Sequence, residues 1–459
     1  MTILQAVLIF LNDHEDFIEN VDDLVIELRK LTNVSSYLDF IFSIIKKQKS
    51  NVFVIIDEYD HFANDMIAEG KYLGEDIYKK TVWAGSQIRD FYETLKTASE
   101  SVIEKIFITG ITPIMLDDLT SGFNISYNLS LKEKYNDILG FTKEEVELII
   151  KECGIDKPLI NVDIECLYDG YLFNANAENK LYNSTMIFNY FHEFSDEKGN
   201  VKNLVADNLK TDYGRIQNLI NQHDNKEKLR QLADNKPISE EVIKQFSIMK
   251  IHEDKNFFSL LFYMGLITID NSNPNKIGLK IPNYSVKTIF WDFIENILTA
   301  DYKGVSLDRS KYLDSVYKLA YENDYKPFFE YFSNYIVKYI SNRDLQGTEE
   351  KDMKFLLLPI FFNSNYYLPI SELENSEGYT DIYLKRSHLH PKSLSEWIWE
   401  LKYVKTTEID NTKLIETKQN EARKQLQSYK NSNLFKDRQD VRYLSIVFVG
   451  KKDYIIEEI

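Results

Sequence analysis

The stretch EWIWELKYVK, residues 396–405, alternates bulky apolar side chains with charged ones. Trp397, Trp399 and Leu401 share one parity, and Ile398, Glu400 and Lys402 share the other. A strand built from it has one wholly apolar face, and Glu400 and Lys402 stand side by side on the opposite face. Upstream, YTDIYL (379–384) reads as another strand carrying Asp381, with a turn at HLHPKS (388–393) between the two. Two acids and a lysine on one sheet face suit a hard divalent ion held through carboxylate oxygens, with a cation beside it. Such an ion activates water and offsets the charge that develops on a phosphate, and a lysine adds to that stabilisation. A Glu-x-Lys pair also occurs as a plain surface ion pair, but here the apolar opposite face and the upstream Asp381 favour a site.

Outward from that stretch, EEKDMKFLLLPIFF (349–362) predicts a helix, residues 411–430 a long polar helix, and YLSIVFVG (443–450) a strand. The expected unit is helix, β–β–α–β, over residues 346–459. In the polar helix Gln425 and Tyr429 lie on one face, four residues apart.

On these residues the segment resembles the PD-(D/E)XK nuclease superfamily. Asp381 matches its first acid, Glu400 and Lys402 its E-x-K, and Gln425 to Tyr429 its Q-x-x-x-Y. The resemblance implies a restriction-endonuclease-like α/β fold. Asp381 and Glu400 would then be metal ligands for Mg²⁺ or Mn²⁺, with Lys402 and Gln425 in the catalytic set. Glu349 or Glu350 on the leading helix is the candidate for a further acid. Nucleic acid is the implied partner, with Lys405, Arg423 and Lys424 near enough in sequence to meet phosphates.

The other informative stretch is NVFVIIDEYDHFAND, residues 51–65. Val52 to Ile56 is a continuous apolar run ending in Asp57 and Glu58, as in a parallel strand buried on both faces whose end meets a ligand crevice. A helical stretch through Ile88, Phe91, Tyr92 and Leu95 and a second run, IEKIFITG (103–110), complete a βαβ pattern. The texts FITGITPIMLDDLTSGFNI (107–125), LGFTKEEVELII (139–150), LYDGYLFN (167–174) and LYNSTMIFNYF (181–191) resemble an AAA-ATPase-like family that carries a C-terminal PD-(D/E)XK domain. By that resemblance Asp57 and Glu58 form a Walker B-like pair and Thr109 a γ-phosphate sensor, and the ATPase half regulates or positions the nuclease, in defence against foreign nucleic acid. No GxxxxGK[ST] phosphate loop precedes Asp57, since the first glycine is Gly70. Without that loop's amides and lysine, ATP is not expected to bind, and Asp57 and Glu58 are expected to be non-functional. The chain is therefore expected to be a truncated product or a member that has lost nucleotide binding, with an exposed sheet edge.

The expected architecture is α/β in four parts: residues 1–140 a truncated P-loop ATPase-like parallel-sheet domain, 141–235 a helical lid region, 236–345 a winged-helix-like and helical region, and 346–459 the nuclease-like domain. Within it, FTKEEVELIIKECG (141–154) predicts a helix with Thr142 and Glu145 as a capping box and Gly154 after its end. The most polar stretch, 223–239, is the expected hinge. A short hairpin is expected in IGLKIPNYSV (277–286) after turn residues Asn271 to Asn275, and the aromatic helices 256–263 and 326–340 are expected in the core.

Composition bounds the alternatives. Net charge is −17 over 459 residues, which excludes a protein that coats nucleic acid with its whole surface. Residues 386–459 hold 14 Lys+Arg against 11 Asp+Glu, which leaves −20 on the remainder and puts any polyanion site in the tail. Two cysteines, Cys153 and Cys166, exclude a disulfide scaffold and are expected to be buried thiols. No apolar run spans a membrane, and Ile3 to Leu11 reads as a buried strand or helix with no signal-peptide pattern, so a cytoplasmic protein without a membrane partner is expected. His388 and His390 lack a third ligand nearby, His61 reads as a surface residue, and Asp117 and Asp118 read as helix-cap chemistry. The alternative is a non-catalytic regulatory or interaction protein on a degenerate ATPase-like scaffold.

Overall fold

The computed structural model describes residues 3–68, 86–114, 125–160, 162–197, 199, 201, 204–205, 220, 226–251, 253–273, 276–301, 309–340, 350–450 and 453–459. Asp117, Asp118, Glu349 and Gly70 lie outside them. Among the described residues no helix is long and apolar enough to cross a membrane.

Three helices open the chain: α1 (Ile3–Asp13), α2 (Val21–Leu28) and α3 (Val34–Lys47). Asn33 caps α3 by accepting the Ser36 amide at 2.8 Å. Then come β1 (Val52–Ile56), α4 (His61–Ala68), α5 (Gln87–Ala98) and β2 (Ile103–Ile108). The two strands are parallel neighbours, with Val54 level with Ile106 and Ile56 level with Ile108, as the βαβ pattern requires. Helices cover one face, where Val54, Ile56, Ile106 and Ile108 join a core holding Ile41, Ile44, Tyr92 and Leu95. The other face is open: Phe53 is 65%, Ile55 75% and Phe107 50% exposed. This corrects the expected strand buried on both faces. Both parities of VFVII are apolar, so the sequence run hides an alternation that only the covering helices reveal.

In the middle of the chain, α6 (Lys143–Glu152) has the expected ends. Thr142 and Glu145 exchange both capping-box bonds, and Gly154 turns the chain at a φ of 65° that a side chain would strain. Short α7 (Ile164–Tyr168), α8 (Ser184–Asp196) and α9 (Lys226–Ala233) follow. Cys153 and Cys166 are exposed, contrary to expectation: Cys153 caps the end of α6, and Cys166 sits outward on α7 while Leu167 and Tyr168 turn in. α10 (Asp254–Tyr263) buries Phe257, Phe258 and Phe262. The hairpin pairs β3 (Thr268–Asp270) with β4 (Gly278–Lys280). It therefore starts before the expected 277–286, whose second half instead opens α11 (Tyr284–Asp301). α12 (Arg309–Glu322) and α13 (Lys326–Ile340) supply Tyr312, Phe328, Phe329 and Phe332 to the core.

The tail is a five-stranded mixed sheet between helices. α14 (Glu350–Ser364) leads into β5 (Tyr367–Asn375), β6 (Gly378–Arg386) and β7 (Glu396–Val404), followed by α15 (Thr412–Lys430), β8 (Val441–Val449) and β9 (Asp453–Glu458). Strand order is β5-β6-β7-β8-β9, and only β7–β8 is parallel. The expected β–β–α–β order is extended by two edge strands, β5 and β9. The parity read from 396–405 holds: Trp397, Trp399 and Leu401 pack with Phe361 in the main core, while Ile398 packs with Leu426 and Tyr429 of α15.

Candidate active site

β6 and β7 pair through Leu384–Trp397, Tyr383–Ile398 and Ile382–Trp399, and the ladder ends there. Asp381 and Glu400 are the next residues on the two strands, so the acids meet where the strands part. Asp381 Oδ2 accepts the Leu401 amide at 2.7 Å. Lys402 Nζ donates to Glu400 Oε1 at 2.7 Å and to the Leu401 carbonyl at 2.9 Å, and lies 3.5 Å from Glu350 Oε1. Of the two leading-helix candidates, Glu350 is thus brought to the site. Tyr429 donates to the Tyr379 carbonyl at 2.6 Å, tying α15 to the start of β6. Gln425 is half-buried one turn earlier, with no side-chain hydrogen bond among the described residues.

The site is buried and acidic. Glu400 is 1% exposed; its Oε2 makes no hydrogen bond of ordinary geometry among the described residues, although the Tyr429 hydroxyl faces its carboxylate. Burial, then neighbouring Asp381, push the Glu400 carboxyl up to about 8 against the pull of Lys402. Burial likewise raises Asp381 and Glu350. Burial lowers the Lys402 ammonium, but Glu400, Asp381 and Glu350 outweigh it and keep the lysine charged. A carboxyl with a raised folded pKa adds stability below its ordinary value and loses it as pH rises through the folded one. With divalent ions chelated, the wild type should therefore lose stability between pH 4.5 and about 8, and Glu400→Gln should flatten that slope. Equal melting-temperature profiles for the two proteins would show that Glu400 titrates alike in the folded and unfolded protein.

Among the described residues no three His, Cys, Asp or Glu side chains are grouped as ready-made metal ligands. Two acids still fit magnesium or manganese, because such ions take one or two carboxylates and complete their shell with water and substrate phosphate. Glu400 Oε2, without an ordinary hydrogen bond among the described residues, is the donor such an ion would satisfy. Of the basic residues read from the sequence, Arg423 is engaged by Glu457, at 2.6 Å from Nε, while Lys405 and Lys424 are exposed. His390 Nδ1 is hydrogen-bonded to the Tyr321 hydroxyl at 3.0 Å.

At the N-terminal sheet, Asp57 and Glu58 are exposed just past β1. Asp57 Oδ1 accepts from the Thr109 hydroxyl and from the Glu58 amide, and Glu58 is left-handed with φ 51°. His61 is exposed beside Glu58 and Asp65. The acid of this run that the sequence reading missed is Asp60. It is fully buried and accepts the Thr112 amide at 2.6 Å, the Thr112 hydroxyl at 2.7 Å, the Ile111 amide at 3.2 Å and the Asn64 side chain at 2.9 Å. Its place just before α4 is the signal that could have found it. Gly110 completes this turn. A Cβ there would stand 2.4 Å from the Tyr59 ring and 2.5 Å from Asp60 Oδ1, both pinned. Gly110→Ala should cost about 1–3 kcal/mol by overpacking. Urea denaturation would detect this, and an unchanged midpoint would mean the turn is loose.

Residues 8–120 match the model of a family described as Predicted AAA-ATPase (AAA-ATPase_like). Residues 348–458 match that of the PD-(D/E)XK nuclease superfamily. No curated protein and no solved structure matches the chain. The Asp381–Glu400–Lys402 cluster lies within the second matched segment, and the chain therefore carries an AAA-ATPase-like segment followed by a PD-(D/E)XK nuclease-superfamily domain.

Proposed function

We propose that this protein is a metal-dependent nuclease that hydrolyses phosphodiester bonds of DNA or RNA at the Asp381–Glu400–Lys402 cluster. The observation that carries the reading is the convergence, where two strands part, of the buried Glu400, the half-buried Asp381 and a charged lysine, one Glu400 oxygen having no hydrogen bond of ordinary geometry among the described residues. Asp381 and Glu400 would hold Mg²⁺ or Mn²⁺, with Glu350 at the rim. Bound there, such an ion supplies Lewis-acid chemistry toward a phosphodiester. Lys402 donates hydrogen bonds, and its ammonium is placed to meet an anionic phosphoryl oxygen or to orient a water. Leu401 contributes structure twice: its amide orients Asp381 and its carbonyl orients Lys402. Exposed Lys405 and Lys424 provide contacts to backbone phosphates.

Within this proposal the chain divides into residues 1–140, 141–235, 236–345 and 346–459, and the β3–β4 hairpin with α10 forms a winged-helix-like part. No nucleotide is assigned to Asp57 and Glu58, because no GxxxxGK[ST] stretch stands in residues 1–459. One observation favours a second reading, a non-catalytic interaction protein: the open apolar face of Phe53, Ile55 and Phe107.

The test is cleavage of supercoiled plasmid, linear duplex, single-stranded DNA and RNA with Mg²⁺ or Mn²⁺, wild type beside Lys402→Ala. Metal-dependent cleavage should fall on the order of 10²–10³-fold in the variant, as when one preorganised transition-state donor is removed. No cleavage of any substrate by the wild type favours the second reading.

A further inference from the structure

We propose that Lys354 and Asp234 are positioning residues of the acid site, which hold the Ser371–Glu372 step of β5 in the conformation that seats Asp381 across from it. The proposal rests on the nuclease reading. In the β5–β6 ladder Ser371 pairs with Ile382 and Leu373 with Thr380, so Glu372 stands across from Asp381. Glu372 is left-handed, with φ 54°. A glutamate adopts this backbone in a strand only when its surroundings impose it, and such residues gather at functional sites. The kink re-aims the side chains. Ile370 and Leu373 both pack against the α15-side cluster, whereas regular alternation would put residue 372 there with Ile370. The Glu372 carboxylate instead meets Lys354 of α14. Without the kink, a further carboxylate would share a face with Asp381 and Glu400, and like charges directly opposite on a sheet repel.

What holds the kink comes from two places. Lys354 lies one turn beyond Glu350, so α14 carries Glu350 to Lys402 and Lys354 to Glu372 on one side of the helix. Lys354 is 5% exposed and pairs with equally buried Asp234 at 2.8 Å. Asp234 follows α9 and lies outside the nuclease-matched segment, which starts at residue 348. Its neighbour Asn235 donates to the Ser371 carbonyl at 3.4 Å. Lys287 of α11 donates to Asn235 Oδ1 at 2.9 Å and lies 3.5 Å from Ser371 Oγ. The middle of the chain thus holds Ser371 directly and Glu372 through Lys354, and completes the surroundings of the acid site.

The sign of one measurement separates positioning from simple charge. By Coulomb's law alone, removing the Lys354 cation tightens a divalent ion held by Asp381 and Glu400. Loss of positioning weakens it. Mn²⁺ affinity would be measured by titration calorimetry on the full chain, beside cleavage kinetics and thermal melting, for wild type, Lys354→Met, Lys354→Arg, Asp234→Asn and Glu372→Gln. Lys354→Met should weaken Mn²⁺ by about 10–100-fold, as for other residues that orient metal ligands. It should lower kcat in parallel with KM for duplex unchanged, and Lys354→Arg should restore most of both. If Lys354→Met does not fold, Lys354→Gln removes the same charge and should weaken Mn²⁺ in the same direction, while Asp234→Asn and Glu372→Gln, whose lost negative charges weaken Mn²⁺ by Coulomb's law as well, should reproduce the loss in kcat. Unchanged or tighter Mn²⁺ binding in folded variants overturns the proposal. A wild type that neither binds Mn²⁺ nor cleaves overturns the nuclease reading and the proposal together, whereas a cleaving wild type with unaltered variants sinks positioning alone.

Discussion

Asp381→Asn should give a folded protein whose metal-dependent cleavage is lowered by about a thousandfold. Asparagine keeps the shape of the side chain, and its carbonyl oxygen can still accept the Leu401 amide that Asp381 accepts at 2.7 Å. The backbone at the parting of β6 and β7 therefore keeps its partner. What is lost is one of the two charges that would hold the ion, and charge stabilisation of that kind amounts to several kcal/mol in the transition state. A loss of about 4 kcal/mol is about a thousandfold in rate. Stability should move the other way. Burial raises the Asp381 carboxyl, which means the folded protein disfavours its charged form. Neutral asparagine relieves that cost, and a metal-free protein should melt at the same or a slightly higher temperature. Single-turnover cleavage and thermal melting, run on one preparation, check both halves. Cleavage by the purified variant above a tenth of wild type would remove Asp381 from the site. A collapse in melting temperature would make it a structural residue instead.

The clustering of Asp381, Glu400 and Lys402 was legible because strand chemistry has a short period. Alternation over 396–402 put Glu400 and Lys402 on one face, and the structure keeps them there at 2.7 Å. Glu349 and Glu350 were indistinguishable in sequence, since which turn of a helix reaches a lysine fifty residues on is a property of packing. β5 was hidden because YLPISELEN mixes a proline with alternating acids, and Pro369 is tolerated only because β5 is an edge strand. β9 was hidden because its six residues are half acidic. At DEYD the adjacent acids looked alike. Turn geometry, with Glu58 left-handed, exposes Asp57 and Glu58 and buries Asp60, and the one local sign of that division is Asp60's place just before α4. Glu372 was illegible for a similar reason. Its backbone is set by Lys354 and Asp234, which are 18 and 138 residues away, so its role belongs to tertiary structure.

Trp399→Ala should destabilise the nuclease domain by about 3–5 kcal/mol, the usual cost of emptying a large aromatic site. Trp399 is fully buried on β7, between paired strands β6 and β8. Its ring centroid lies 5.1 Å from Phe329, 5.1 Å from Phe361 and 5.4 Å from Phe328, so helices α13 and α14 both rest on it. The cavity would be walled by other large rings that cannot close over it without leaving their own contacts. Its indole nitrogen has no hydrogen-bond partner among the described residues, so Trp399→Phe leaves no donor or acceptor stranded and should cost less than about 1.5 kcal/mol. The comparison bears on the site, because Glu400 is the next residue on β7 and its position depends on how firmly the strand is seated. Urea unfolding followed by circular dichroism, with metal affinity measured on the folded fraction, separates the effects. If Trp399→Ala costs under about 1 kcal/mol, β7 is not anchored by its apolar face. If both variants fold and Trp399→Ala alone loses metal affinity, the aromatic packing on one face of the strand is what holds the acids on the other.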